Sequence, residues 1–536
     1  MPATPPLSKD RAAPIPPGPA VRHGPGLLAL AVLMTVLFLT FLDNTVVSVA
    51  LGSVQADLHA GVTALQWVVS AYALTFAASM LAFGMVGDEF GRKKVMLAGV
   101  AVFCAGSVLC AMAPNAPVLI AGRAVMGVGA AASEPGTLSM LRHMYTDERT
   151  RDRAVGLWTA VCGLALAMGP VIGGALVGIW DWRAIFWFNL LVGAIALVLC
   201  VAVLSESSDP DAHRVDIGGS LFGAAAISAL AFAIIEGESA GFGSAEVIAL
   251  LCVCVAGIVG FFWWESRVAH PLLDLKFLRV PGFLTANVVA FCAYFATFAV
   301  FFFTALFLNE VAGNDGYRIA LTFLPMTVLM VLASVLANRW VAAVGLGWSI
   351  LVGSALFAAG LVLTALTISP KPSYVPLAAA LALSGIGVGS TVVPATSSAL
   401  SSVPPERSGM AASAANTSRE IGAVTGDAVL GALVAARLSS EITARMQALG
   451  ISKGLQKFVI NAVESGSTPP TGSKAYIAYG KEGQDVINAA YSAFQHGLHA
   501  SLYLGAALAL ASGIFSFVLL GRRSSAEPAP ATAPSA

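Results

Sequence analysis

The chain has 536 residues, of which 57% are hydrophobic and 11% are charged, and its mean hydropathy is +0.82. Because soluble globular proteins carry about 25% charged residues, this composition excludes a soluble protein. Lysine plus arginine and aspartate plus glutamate number 29 each, so the overall charge does not indicate a nucleic-acid partner. The composition predicts a protein embedded in the lipid bilayer.

Fourteen segments are predicted to be membrane-spanning helices, because one crossing needs about 20 mostly apolar residues. The chain is therefore expected to be an all-α integral membrane protein. The predicted limits are 27–50, 63–83, 95–113, 117–140, 154–178, 183–204, 217–236, 245–265, 283–309, 317–338, 347–368, 375–396, 412–436 and 498–520.

The positions of lysine and arginine predict that both termini are cytoplasmic. Nineteen of these 29 residues, with Arg419 counted among them, fall on the tails and connections that share a side with the N-terminus. Residues 1–26, with eight prolines, and residues 521–536 are predicted to be disordered tails. The loop 437–497 is predicted to form one or two short helices outside the membrane. All nine tryptophans lie within about five residues of a predicted helix end, which is typical of the membrane interface.

The connection between the second and third segments reads "GMVGDEFGRKK". Asp88 and Arg92 stand four residues apart, the spacing of side-chain pairs on a helix. This pattern has two interpretations, a simple cytoplasmic anchor or a charge lock between helices. The residues assigned to this gate motif are Gly84, Asp88, Gly91, Arg92, Lys93 and Lys94.

The fifth segment contains "GLALAMGPVIGGALVG". Gly163, Pro170, Gly174 and Gly178 share one helix face, and Gly169 and Gly173 lie beside it. Small residues let two helices pack closely, and a hinge at the proline is compatible with that packing.

Charged residues inside the membrane are costly and are therefore candidates for function. Asp43 lies in the outer half of the first segment. In the fourth segment Arg123, Gly127 and Glu134 share one face, and Arg123 approaching or leaving Glu134 would change the affinity of that carboxylate for protons. The alternative is a purely structural ion pair.

The thirteenth segment repeats this spacing with Asn416, Glu420 and Asp427. Glu420 is close enough to the cytosolic end to be interpreted as interfacial, so Asp427 is the candidate acid of this segment. The predicted proton-coupling and substrate residues are thus Asp43, Arg123, Glu134 and Asp427.

Several absences argue against an enzyme. The glycine run at 384–390 lies in a predicted spanning helix without the strand and turn of a nucleotide site, and there is no Walker A lysine motif. No serine, histidine and acid are placed as in a hydrolase. The seven cysteines lie in apolar stretches without metal-ligand spacing, so no metal is expected.

Together these motifs resemble those of the major facilitator superfamily, and in particular its fourteen-helix branch of drug:proton antiporters. The resemblance rests on the connection 84–94, on "LDNTVVSVAL" in the first segment, on Arg123 with Gly127 and Gly129, on "GPVIGG", and on "VPPERSGMAASAANTSREIG" at 403–422. Glu134 and Asp427 depart from it, since the branch more often has apolar or small residues there.

The resemblance implies a six-helix half at 27–204, two inserted helices at 217–265 and a second half at 283–520. It also implies a midplane cavity and alternating access by rocking of the halves, with Asp88 and Arg92 closing the cytoplasmic side. The expected activity is proton-driven export of an amphipathic drug or antibiotic by a monomer in the cell membrane, with a proton gradient and no cofactor. A proton symporter that imports a solute and a non-transporting sensor remain as alternatives.

Overall fold

The computed structural model describes residues 27–58, 60, 62–145, 147–207, 216–268, 271–314, 316–404, 407–448 and 480–521. Within these ranges the regular structure is entirely helical. The predicted tails 1–26 and 522–536 lie outside the described residues, as do residues 449–479 of the predicted outer loop.

Fourteen long helices, α1 to α14, follow one another along the described chain. The first, α1, continues through a 3₁₀ turn at Val47–Ala50 into a short helix at Leu51–Leu58, and α9 contains a π-helical turn at Ala299–Phe303 before it ends at Glu310. The helices are α1 Leu27–Val46, α2 Val62–Phe90, α3 Arg92–Ala111, α4 Ala116–Met144, α5 Glu148–Ile179, α6 Arg183–Val203, α7 Ile217–Ala240, α8 Ala245–Glu265, α9 from Pro281, α10 Gly316–Val344, α11 Leu346–Thr367, α12 Tyr374–Ser401, α13 Ser408–Ala448 and α14 Gly480–Gly521.

Each predicted segment coincides with one of these helices, because a chain in lipid must satisfy its backbone hydrogen bonds internally. Eleven of the described helices are long and apolar enough to cross a membrane by themselves. Of the other three, α2 and α5 carry shorter apolar stretches, at Trp67–Met80 and Arg153–Ala165, and α13 is not among the described spans, so the number of fourteen crossings stays a prediction. We call the end of the molecule that holds Gly91 and residue 145 the inner end, after the predicted orientation.

The helices pack as two bundles, which we name the N bundle, α1 to α6, and the C bundle, α9 to α14. The bundles touch along two seams: α5 packs against α10 and α12, and α13 packs against α2 and α4. Helices α7 and α8 pack against each other, and α7 lies beside α2 and α13. Any polar group on α4 or α13 that faces the second seam is therefore placed between the bundles.

The last two helices are much longer than a membrane is thick. With 41 and 42 residues, α13 and α14 each extend about 60 Å, against about 30 Å for the hydrocarbon core. The prediction of separate short helices is wrong for residues 437–448 and 480–497, which continue α13 and α14 without a break. The two extensions are joined by His496, whose Nδ1 lies 3.1 Å from a carboxylate oxygen of Glu441.

Glycines bring several helices into backbone contact. A methyl group at Gly387 would collide with the backbone of Phe357 on α11, and one at Gly385 with the carbonyl of Met326 on α10. The glycine run of α12 is thus a packing surface inside the C bundle, which agrees with its assignment to a spanning helix.

Candidate functional site

An ion pair inside the N bundle joins α1 to α4. Arg123 donates to one carboxylate oxygen of Asp43, and both side chains are fully buried. Asn189 on α6 donates to the other oxygen at 2.6 Å, and Arg123 Nε donates to the carbonyl of Val68 at 2.9 Å. The guanidinium also lies over the ring of Tyr72, 4.5 Å from its centre. We call these groups the outer cluster.

The outer cluster is confined to the N bundle and holds four of its helices together. Both oxygens of Asp43 are bonded, so its charge is matched within the cluster. Asn189 was missed in the sequence, where the only signal was one amide in the apolar run "FWFNLLV".

A second buried ion pair joins the two bundles. Arg419 Nη2 on α13 lies 2.7 Å from Glu134 Oε1 on α4, and both side chains are almost completely buried. Glu134 lies ten residues before the end of α4 at Met144, and Arg419 lies eleven residues after Ser408, where α13 begins. At 1.5 Å per residue, both are about 15 Å from the inner end.

Aromatic rings surround the guanidinium of Arg419. Its central carbon lies 4.8 Å from the ring centre of Trp158, 5.2 Å from that of Tyr294 and 5.5 Å from that of Phe41. Trp158 is itself fixed by a 2.9 Å hydrogen bond from its indole nitrogen to the hydroxyl of Thr137. Trp158 is fully buried, so its assignment to the membrane interface is wrong.

A second acid, Glu420, is buried next to this pair. It is only 3% exposed and interacts electrostatically with Glu134 and Arg419. Its interpretation as interfacial is therefore wrong. We call Glu134, Arg419 and Glu420 the inner cluster.

Several polar atoms around the inner cluster have no hydrogen-bond partner among the described residues. They include Glu134 Oε2, Arg419 Nε and Nη1, and both amide atoms of the buried Asn416. Asp427 lies on α13, but its side chain is outside the described residues.

Two predictions about charge partners are wrong. Arg123 and Glu134 do share a face of α4, but eleven residues separate them by about 16 Å along the axis, so each pairs with another helix. Arg419 was counted with the cytoplasmic cations, whereas it lies inside the protein. Gly127, on the same face, provides close contact with α2, since a methyl group there would collide with the carbonyl of Tyr72.

The predicted gate motif caps two helices at the inner end. Gly91 has a φ of 106°, a backbone conformation that favours glycine, and a Cβ there would lie 2.7 Å from Glu206. Glu206 accepts from the backbone N–H of Lys93 at 3.0 Å, at the start of α3. In return, Lys93 Nζ donates to the carbonyls of Leu204, at 2.6 Å, and Val201, at 2.9 Å, where α6 ends.

The other residues of the motif differ in their surroundings. Arg92 is 7% exposed and its backbone N–H donates to the carbonyl of Ser207 at 2.9 Å, whereas Lys94 is exposed. Gly84 is buried, and the side chain of Asp88 lies outside the described residues, so the predicted Asp88 lock stays a prediction.

The glycines of α5 contact both bundles. A methyl group at Gly163 would collide with Met330 on α10, and one at Gly169 with Thr45 on α1. Gly173 is buried and Gly174 is half-buried, while a Cβ at Gly178 would meet nothing within 4 Å. The packing role of this motif is therefore observed at Gly163 and Gly169, and the side chain of Pro170 lies outside the described residues.

Comparison with known proteins identifies the family to which this helical fold belongs. The sequence model of the Major Facilitator Superfamily matches residues 33–426. The chain belongs to the Major Facilitator Superfamily. Members of this superfamily are transporters and generally not enzymes, and the predicted multi-pass location in the cell membrane is confirmed.

Relatives within the superfamily are named for drug resistance. The chain is 32% identical over 473 residues to the Multidrug resistance protein Stp of Mycobacterium tuberculosis, and this match covers 88% of each protein. It is 34% identical over 409 residues to the Methylenomycin A resistance protein of Bacillus subtilis, covering 76% of this chain and 88% of that one. It is 28% identical over 495 residues to the Tetracenomycin C resistance and export protein of Streptomyces glaucescens, covering 91% of this chain and 90% of that one.

Solved structures share the fold at low identity. The human organic anion transporter MFSD10 matches with a TM-score of 0.59 and 13% identity over 91% of this chain and 99% of that one. A bacterial homologue of the human lysosomal transporter Spinster, in an inward-facing and unoccupied conformation, matches with a TM-score of 0.59 and 16% identity over 94% of this chain and 98% of that one.

Proposed function

We propose that this chain exports amphipathic drugs or antibiotics across the cell membrane in exchange for protons, by alternating access between its two bundles. The observation that carries the proposal is the inner cluster, a buried ion pair between the bundles with a second acid beside it. The names of the relatives support export of this class of compound.

The charge of the inner cluster accounts for exchange. Glu134, Arg419 and Glu420 carry a net charge of about −1 when all three are ionised, so one more positive charge balances the cluster. That charge is either a proton or a cationic group on the substrate. Because the proton and the cationic group neutralise the same negative charge, binding of one releases the other. This competition is the condition for antiport. A symporter would have to hold both at once.

The ion pair gives this exchange a structural consequence. While Glu134 is ionised it holds Arg419, and α4 and α13 stay together about 15 Å from the inner end. A proton arriving from outside neutralises Glu134 and weakens the attraction, so the inner ends separate and the substrate enters from the cytosol. Binding of the substrate then releases the proton to the cytosol, and the pair forms again.

The proposal is tested with a compound chosen by a survival screen of a sensitive strain that expresses the chain. In proteoliposomes, adding this compound on one side should drive protons toward the side of addition. Substrate affinity should rise with pH, because fewer protons then compete for the cluster. In Glu420→Gln we expect affinity to fall about tenfold and to lose its pH dependence, since one buried charge interaction is worth more than 1.4 kcal/mol.

A matched control is Glu246→Gln, the same substitution at an exposed acid of α8. It should keep the wild-type affinity and pH dependence. Protons moving together with the compound would instead establish a symporter, and no compound-dependent proton movement or survival would establish a protein that does not transport. An unchanged pH dependence in Glu420→Gln would remove Glu420 from the mechanism.

A further inference from the structure

A separate cavity of about 310 Å³ lies at the inner end, between α5 of the N bundle and α10 and α12 of the C bundle. Arg151 on α5 and Asn338 on α10 line it from opposite bundles. Neither residue belongs to the inner or the outer cluster. Arg151 lies seven residues before Trp158, so the cavity is about 10 Å closer to the inner end than the ring that covers Arg419.

The polar groups of the cavity are one cation and several groups that can donate hydrogen bonds. Arg151 makes no ion pair with a described acid, and no described acidic side chain lines the cavity. Asn338 brings its amide and Ser397 on α12 brings a hydroxyl, whereas the hydroxyl of Ser401 already donates to the carbonyl of Ser398 at 3.2 Å. The hydroxyl oxygen of Ser397 is buried without a partner among the described residues. A guanidinium with these donors favours an anion.

The number of donors and the shape of the wall narrow the ligand further. Three groups that can donate, on Arg151, Asn338 and Ser397 from three helices, match the several terminal oxygens of a phosphate better than the two oxygens of a carboxylate. The rest of the wall is apolar, with Val155, Leu346 and Pro394. A volume of about 310 Å³ is at the lower end for small-molecule sites, so the apolar part of the ligand is compact.

We propose that this cavity binds a phosphate group attached to a compact apolar body, and that the ligand ties α5 to α10 and α12. A ligand held by both bundles opposes the separation of their inner ends, so occupancy stabilises the protein against unfolding. The phosphate is supplied either by a soluble cytosolic ester or by a lipid headgroup that reaches the inner end. Binding requires no transport and is therefore independent of the exporter proposal.

The test uses the full chain in nanodiscs of phosphatidylcholine, with 1-naphthyl phosphate as the probe and calorimetry and thermal unfolding as readouts. We expect saturable binding that raises the melting temperature, and binding of neutral 1-naphthol at least tenfold weaker. Arg151→Gln should weaken the probe by about tenfold or more, because a charge-assisted hydrogen bond is lost. The control Arg153→Gln removes an exposed cation two residues along α5 that does not line the cavity.

Asn338→Leu is a second variant, which places an apolar side chain in the cavity. It should also lower the affinity for the probe, while its melting temperature without the probe should equal that of the wild type. Repeating the titration in nanodiscs with phosphatidylglycerol separates the two sources. Competition by that lipid, present in wild type and absent in Arg151→Gln, supports a headgroup, and unchanged affinity supports a soluble ester. Three results would overturn the proposal. The probe could fail to bind in either lipid, Arg153→Gln could lower the affinity for the probe as much as Arg151→Gln does, or 1-naphthol could bind as tightly as 1-naphthyl phosphate.

Discussion

At the scale of single residues, the two buried ion pairs differ in how completely their atoms are bonded. Both carboxylate oxygens of Asp43 accept hydrogen bonds, from Arg123 and from Asn189. Glu134 uses one oxygen, and Arg419 leaves two nitrogens without a partner among the described residues. A fully bonded pair in low dielectric is expensive to rearrange, whereas an incompletely bonded pair has groups left to receive a proton or a ligand. We therefore assign a structural role to the outer cluster and exchange to the inner one.

The structural role of the outer cluster predicts the effect of Asn189→Ala. Losing a 2.6 Å hydrogen bond to a buried carboxylate should cost about 1.5–3 kcal/mol and lower the melting temperature of the purified protein. Asn338→Ala, at a half-buried amide that bonds to no described residue, should leave the melting temperature nearly unchanged. Equal shifts in the two variants would mean that the amide of Asn189 does not support Asp43.

At the scale of helices, the gate motif acts first as a reciprocal cap. The start of α3 has backbone N–H groups without helical partners, and Glu206 and Ser207 accept from two of them. The end of α6 has free carbonyls, and the ammonium of Lys93 donates to two of these. Lys93 and Lys94 thus have different functions, because Lys93 donates to the end of the adjacent helix whereas Lys94 is exposed.

This difference predicts opposite outcomes for two adjacent substitutions. Lys93→Met should destabilise the protein by about 1–2 kcal/mol, since two hydrogen bonds from a charged group to the carbonyls at the end of α6 are lost. Lys94→Met removes an exposed cation and should change stability by less than about 0.5 kcal/mol. Thermal unfolding in detergent measures both, and a larger effect for Lys94 would contradict the cap.

The helices were largely predictable from the sequence, whereas the charge partners were not. A bilayer forces each crossing to be a long apolar helix, so the spans appear as local patterns. The pairing of Glu134 with Arg419 joins residues 285 positions apart, and no local pattern contains it. Arg419 looked cytoplasmic because α13 begins at Ser408, four residues before the predicted limit, and because "TSREIG" resembles a polar helix start.

At the scale of the whole molecule, the inner cluster sets the electrostatic attraction between the bundles. Its single arginine attracts two acids, Glu134 and Glu420, which repel each other. Among the described residues, Arg419 thus supplies the positive charge of the ion pair across the second seam.

Arg419→Gln should accordingly make stability depend on pH in a defined direction. Two uncompensated buried acids favour proton uptake by the folded protein, so the melting temperature of the variant should rise relative to wild type as pH falls. Adding Glu134→Gln to Arg419→Gln leaves one acid and should remove most of that slope. Arg339→Gln, at an exposed cation of α10, is the control and should show the wild-type dependence of melting temperature on pH. A loss of melting temperature in Arg419→Gln that is the same at every pH would mean that the arginine contributes packing and not charge.

Because α13 and α14 are about 60 Å long, a small tilt of either helix produces a large relative displacement of its two ends. Helix α13 carries Arg419 near its inner end and continues unbroken to Ala448, and His496 and Glu441 join its extension to that of α14. Over a rigid rod of about 60 Å, a tilt of about 10° displaces one tip relative to the other by about 10 Å. The same tilt that moves the buried arginine therefore also displaces the far end of α13, where a pair of spin labels would record the tilt as a change in distance.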